Sequence, residues 1–235
     1  MLKRVGNKLF LVGVAHIFPQ SSREVEEIIK KEKPAVVGLE LCQERYDMLR
    51  RGASQPSSNE MIDQKTSIPI LWRLMHYLQN YLSRHTGTPA GREMITAAEA
   101  AREVGARIEF IDQSFRTTME KLISRMGTIE KMKLLVMLST AMLPIGRRLD
   151  LEKFTEEETV ERILREVKKI SKTMYEVLIK ERDWYMAEKI SLLLTKTDGK
   201  IVCVVGAGHL PGISRILSKS WVGRYEWEAS DCFYT

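Results

Sequence analysis

Four short apolar runs, each running at once into a polar residue, limit what this chain can fold into. Leu9-Phe10-Leu11-Val12 leads to Gly13-Val14-Ala15-His16, and Ala35-Val36-Val37-Gly38-Leu39 to Glu40. Ile108-Glu109-Phe110-Ile111 leads to Asp112, and Ile201-Val202-Cys203-Val204-Val205 to Gly206-Ala207-Gly208-His209. Ile201 to Val205, apolar and mostly β-branched, reads as a strand buried on both faces, the pattern of a parallel sheet covered by helices, and the other runs read as its companion strands. In such sheets the carboxyl ends of the strands share one rim, where ligands bind. His16, Glu40, Asp112 and His209 are therefore expected along one edge. The chain has 4 histidines, and two of them follow a strand in a Gly-x-x-His pattern.

Between the runs the periodicity is helical. Strands are expected near 8–13, 35–40, 107–111 and 200–205. Ser21 to Lys31 is a helix with Ser21 or Ser22 as its N-cap, ended by Pro34, and Gln43 to Arg51 is another. Residues 52–67 read as a loop, and Ile70 to Ser83 returns to helical spacing. Ile95 to Val104 is a helix closed by Gly105. From Phe115 to Leu194 the pattern is almost wholly helical. Glu156 to Thr195 would span about 60 Å as one straight helix, so a break or a protruding antiparallel arm is expected inside it. Tyr225-Glu226-Trp227-Glu228 alternates like an exposed edge strand. The expected fold is α/β, a mostly parallel sheet of four to five strands covered by helices. It forms a single domain over 1–235, with a helical excursion or lid at about 113–199.

Composition removes some classes. The net charge of +6 is spread among interleaved acids, the pattern of solvated helix faces, so no nucleic-acid partner is expected. The longest apolar run, Leu134 to Ile145, is about 12 residues and too short for a bilayer span. Gly6-Asn7-Lys8 interrupts any signal-peptide core, and 3 cysteines without a CxxC suit a reducing, cytoplasmic setting.

The chemistry lies in the rim. A carboxylate that continues a buried strand, as Glu40 does, needs a cation, a metal or a hydrogen-bond partner. Two imidazoles and one or two carboxylates suit a divalent ion, Mn, Co, Zn or Fe, with His16, Glu40 and His209 as ligands. Asp112 has a second reading as N-cap of the helix from Ser114. Glu93 has one as a helix-dipole partner, and Glu181-Arg182-Asp183 one as a solvated ion-pair cluster. His76 and His85 read as ordinary surface or core groups.

At these residues the chain resembles the TraB/PrgY family and, more remotely, the wider group with Tiki, GumN, ChaN and erythromycin esterase. The resemblance is carried by Leu11 to His16, Val36 to Leu41, Pro89-Ala90-Gly91-Arg92-Glu93-Met94 and Phe110-Ile111-Asp112. It continues through Leu178 to Asp183 with Met186-Ala187, and Val204 to Gly212. The stretches stand in family order and cover nearly the whole chain. Tiki-like relatives are metal-dependent proteases with paired Gly-x-x-His motifs, TraB/PrgY proteins are linked to inactivating peptide pheromones, and ChaN-like relatives to haem. Gln113-Ser114 replaces the Arg-Asp pair usual after the third-strand acid. The C-terminal membrane region of many family members has no counterpart here, so no transmembrane segment is expected.

The resemblance implies a metal-dependent, peptidase-like hydrolase of amide or ester bonds, acting on a peptide or small molecule. Glu40 would bind or flank the metal with His16 and His209; Glu93, Asp112 or Glu181 would orient a ligand or act as general base, and Arg182 would hold an oxyanion or a substrate carboxylate. Two competing functions stay open: a non-catalytic, peptide-sequestering protein, and a haem or metal carrier using His16 or His209. The sequence is compatible with a homo-oligomer.

Overall fold

The computed structural model describes residues 1–14, 19–51, 91–133 and 157–218. His16, His76, His85, the 52–67 loop, the 134–145 run and the 225–228 segment lie outside them.

The expected α/β sheet is present. Its strands are β1 (Leu2–Val5), β2 (Leu9–Val14), β3 (Val36–Leu39), β4 (Arg107–Phe110) and β5 (Ile201–Gly206), ordered β1-β2-β5-β3-β4. β2, β5, β3 and β4 are parallel, with Val14 opposite Gly206 and Leu39 opposite both Val204 and Phe110. The last strand in sequence thus enters the middle of the sheet, between β2 and β3. This brings the ends of β3 and β5 side by side.

β1 was not expected. It pairs antiparallel with β2, Leu2 opposite Val12 and Val5 opposite Leu9. Leu2 is exposed and Val5 buried. An edge strand covered on one side needs no continuous apolar run, so its charged Lys3 and Arg4 concealed it.

The first helix, α1, covers Pro19–Glu32, so neither Ser21 nor Ser22 caps it; both lie inside its first turn. α2 (Gln43–Arg50) and α3 (Arg92–Glu103) follow. Gly105, with φ 73°, closes α3 as expected, because a left-handed residue there costs glycine nothing. α4 covers Phe115–Arg125. Its N-cap is Ser114, which makes no side-chain cap, and Asp112 does not cap it either.

The break expected in the long helical segment falls at Ser171. α5 (Glu157–Ile170) ends there and Ser171 caps α6 (Lys172–Tyr175) by accepting from the Met174 amide. A π-helical turn, Glu176–Lys180, then runs into α7 (Glu181–Lys196). The last helix, α8, begins at 210 and is described to 218.

The alternation of β5 shows why it is apolar throughout. Val202 and Val204 join Phe10, Val12, Val37 and Leu39 in a core with Val25 and Ile29 of α1 and Ala97 and Ala101 of α3. Ile201, Cys203 and Val205 face the other way, against Met186, Ala187 and Ile190 of α7 and Leu210, Ile213 and Leu217 of α8. Each such aliphatic side chain contributes about 1.5–3 kcal/mol on burial. Burial holds α7 and α8 to the sheet and fixes where their first turns lie, next to the strand ends. Among the described residues no helix is long and apolar enough to cross a membrane.

Candidate functional site

Glu40 follows the last residue of β3, and its amide still donates to Val204 O of β5 at 3.0 Å. The side chain is 7 % exposed. Oε2 accepts from the Gly206 amide at 2.5 Å, and Oε1 from Arg182 Nη2 at 2.5 Å. The carboxylate that the sequence placed at the end of a buried strand therefore has its compensation from a guanidinium and a backbone N–H.

Arg182 reaches this edge from the first turn of α7. Nε and Nη2 fork onto Asp112 Oδ1 and Oδ2 at 3.1 and 2.7 Å, and Nη1 donates to Leu178 O in the π-helical turn at 3.2 Å. With the Glu40 bond, these contacts engage four of the five guanidinium hydrogens. Burial opposes the charge on Arg182, but Glu40 and then Asp112 outweigh it and raise the pKa above the ordinary arginine value. Asp112 also accepts from the Gln113 amide at 2.8 Å. Arg182 does not pair with Glu181 or Asp183, its sequence neighbours.

Asp183 goes to His209. Its Oδ1 lies 2.6 Å from Nδ1 of the imidazole, and both side chains are buried. Gly212, in the first turn of α8, makes room for it: a Cβ there would stand 2.0 Å from Asp183 Oδ2. Burial pushes the Asp183 carboxyl up, against the opposing pull of the hydrogen bond and charge of His209. In the tautomer whose Nδ1–H donates to Asp183, Nε2 is the nitrogen turned to Glu40. Nε2 lies 3.4 Å from Glu40 Oε1.

The fold therefore brings Glu40, Asp112, Arg182 and His209 together. Asp183 joins them, although the sequence reading gave it no role. Its signal was helical phase: residues 183, 186, 187 and 190 share one face of α7, and Asp183, Met186, Ala187 and Ile190 are all buried. Glu181 turns elsewhere, to Lys121 at 3.0 Å and to Arg125 on α4. Burial raises the Glu181 pKa, but these two cations prevail and hold its carboxyl below the usual glutamate range. Glu93 is fully buried at the start of α3. His16, two residues beyond the end of β2, is outside the described residues.

Two features of the donor set fit a divalent cation. Among the described residues three carboxylates, Glu40, Asp112 and Asp183, stand with one guanidinium and one imidazole. Ligand atoms about 2.1 Å from a tetrahedral ion stand about 3.4 Å apart, and Glu40 Oε1 and His209 Nε2 are separated by that distance. Asp183 behind Nδ1 is the outer-shell partner that metal-bound histidines usually have. Among the described residues no group of three His, Cys, Asp or Glu side chains could by itself hold an ion.

The chain is similar to an archaeal protein and to mammalian ones. It is 31% identical over 216 residues to an uncharacterized protein of Methanocaldococcus jannaschii, covering 90% of this chain and 53% of that one. It is 25% identical over 236 residues to a TraB domain-containing protein of Bos taurus, and 24% to one of Homo sapiens, covering 89% of this chain and 62% of each relative. The chain thus spans about half to three-fifths of the length of these curated relatives. The model of the TraB/PrgY/gumN family matches residues 2–220, and this chain belongs to that family.

Proposed function

We propose that the chain is a hydrolase of amide or ester bonds, peptidase-like, whose site holds a divalent metal through His16, Glu40 and His209. The observation that supports this most is the Glu40 Oε1 to His209 Nε2 gap of 3.4 Å. A carboxylate oxygen and an imidazole nitrogen, both of ligand type, face each other across it. A metal bound there would supply a hydroxide nucleophile near neutral pH.

The chain's own residues have separable tasks in this reading. Asp183 holds the imidazole by Nδ1 and keeps Nε2 turned to the gap. Arg182 clamps Glu40 and Asp112, fixing the Glu40 carboxylate at the sheet edge, and keeps one Nη1 hydrogen for a developing oxyanion or a substrate carboxylate. Asp112 and Glu181 are engaged by cations and act as positioning groups. Cys42 and Cys203, the cysteines among the described residues, are free thiols.

Metal analysis of the purified chain, with turnover of peptide and ester substrates, tests the proposal. Binding of Mn, Co, Zn or Fe near one equivalent is expected, weakening below about pH 6, where free imidazole protonates. His209→Ala and His16→Ala should abolish both metal binding and turnover, and His76→Ala and His85→Ala should leave both intact. A His16→Ala/His209→Ala variant that retained both would refute the site. A wild-type chain that neither binds metal nor turns over substrate would favour the sequestering function, for which the cavity beside Asp183 offers room.

A further inference from the structure

A cleft of about 680 Å³ lies against the outer side of the Asp183–His209 pair, with Asp183, Gly208 and Gly212 in its wall. That volume suits a single small ligand. Its remaining walls divide by chemistry. Leu164 of α5, Ile179 of the π-helical turn, Trp184 of α7 and Ile216 of α8 are apolar, and Trp184 is 63% exposed. Arg165, Lys168, Lys180 and Arg215 also line it, against one outer acid, Glu161.

The four cations are not equally engaged. Arg165 pairs with Glu161 at 3.6 Å, and Lys168 stands over the Tyr175 ring, 5.6 Å from its centroid. Lys180 and Arg215 make no ion pair among the described residues, and both side chains are exposed. They come from separate elements onto one cleft, so their charge there follows from tertiary packing and not from a run of basic sequence.

We propose that this cleft binds an amphiphilic anion, one apolar chain ending in a carboxylate or phosphate. The acidic wall at Asp183 disfavours an anion deep in the cleft. The head group therefore sits between Lys180 and Arg215, and the chain lies inward along Leu164, Ile179 and Trp184 towards Gly208. An ester or amide carried on such a chain would meet the His209 turn. In that respect the inference rests on the hydrolase reading, but binding can be measured without turnover.

Calorimetric titration of the full chain with octanoate, octyl phosphate, octanol and octyltrimethylammonium tests it. At least one anion should bind tenfold or more tighter than octanol, about 1.4 kcal/mol, and the cation more weakly than octanol. A carboxylate or phosphate preference identifies the head group, and either supports the cleft. Lys180→Met with Arg215→Met should erase the anion's advantage while leaving octanol binding and the melting temperature unchanged. Lys180→Arg should retain the advantage, and Trp184→Ala should weaken every probe. Equal affinity for octanol and both anions, an anion advantage surviving the double substitution, or no binding of any probe would overturn the inference. Anion binding without hydrolytic activity would remove the hydrolase reading and leave the cleft; activity without anion binding would do the reverse.

Discussion

Arg182→Met is the substitution with the largest calculable consequence. The methionine keeps the apolar stem and removes the guanidinium that holds Glu40 at 2.5 Å and Asp112 at 2.7 Å. Side-chain exposures of 15% for Arg182, 7% for Glu40 and 8% for Asp112 mean that water does little to replace it. Unit charges 4 Å apart interact by about 4 kcal/mol at an effective dielectric near 20. The arginine's own desolvation cost offsets part of two such attractions. Breaking a buried pair by removing one partner costs about 3–5 kcal/mol in practice, and about 4 kcal/mol is expected here. For a chain of this length that lowers the melting temperature by about 12 °C. In urea at pH 8 the midpoint should fall by about 1.6 M, taking a slope near 2.5 kcal/mol/M. At pH 5 the loss should be smaller, because protonating the stranded carboxylates removes their charge. Arg182→Lys keeps the charge without the fork and should lose about half as much. Adding Glu40→Gln and Asp112→Asn to Arg182→Met should recover most of the stability. A loss below about 1 kcal/mol at pH 8, or one equally large at pH 5, would refute the reasoning.

Gly212→Ala places a methyl 2.0 Å from Asp183 Oδ2, so a loss of about 1–3 kcal/mol in denaturant melts should accompany weakened metal binding. Asp183 has its pKa raised by burial, so its contribution to stability is complete below the ordinary aspartate range and is lost as pH rises through the folded-state value. Asp183→Asn lacks that loss; its stability relative to wild type should therefore improve from about pH 4 upward, and a pH-independent difference would contradict this. Cys203 is fully buried and its thiol is pushed up to about 12, so alkylation followed by mass spectrometry should label half-buried Cys42 in the native chain and Cys203 only on unfolding.

The amino-acid sequence alone determined the parallel core and its chemistry-bearing edge. Continuous β-branched runs have few places to go except between helices. A carboxylate or imidazole directly after such a run must stand at the strand end, so Glu40, Asp112 and His209 were legible. Local patterns also carried the cap at Gly105 and the need for a break between Glu156 and Thr195. They missed β1, whose single covered face demands only half an apolar pattern. What tertiary structure decided was partnership. In sequence Arg182 stands between two acids, and only the packing of α7 against β5 sends it to Glu40 and Asp112, which are 142 and 70 positions away. The same packing sends Asp183 to His209 and Glu181 to α4. Neighbours on a helix point about 100° apart, so three consecutive charges face three different environments. Which environment each one meets depends on how the buried face of α7 settles on the sheet, and that is determined by contacts distant in the chain.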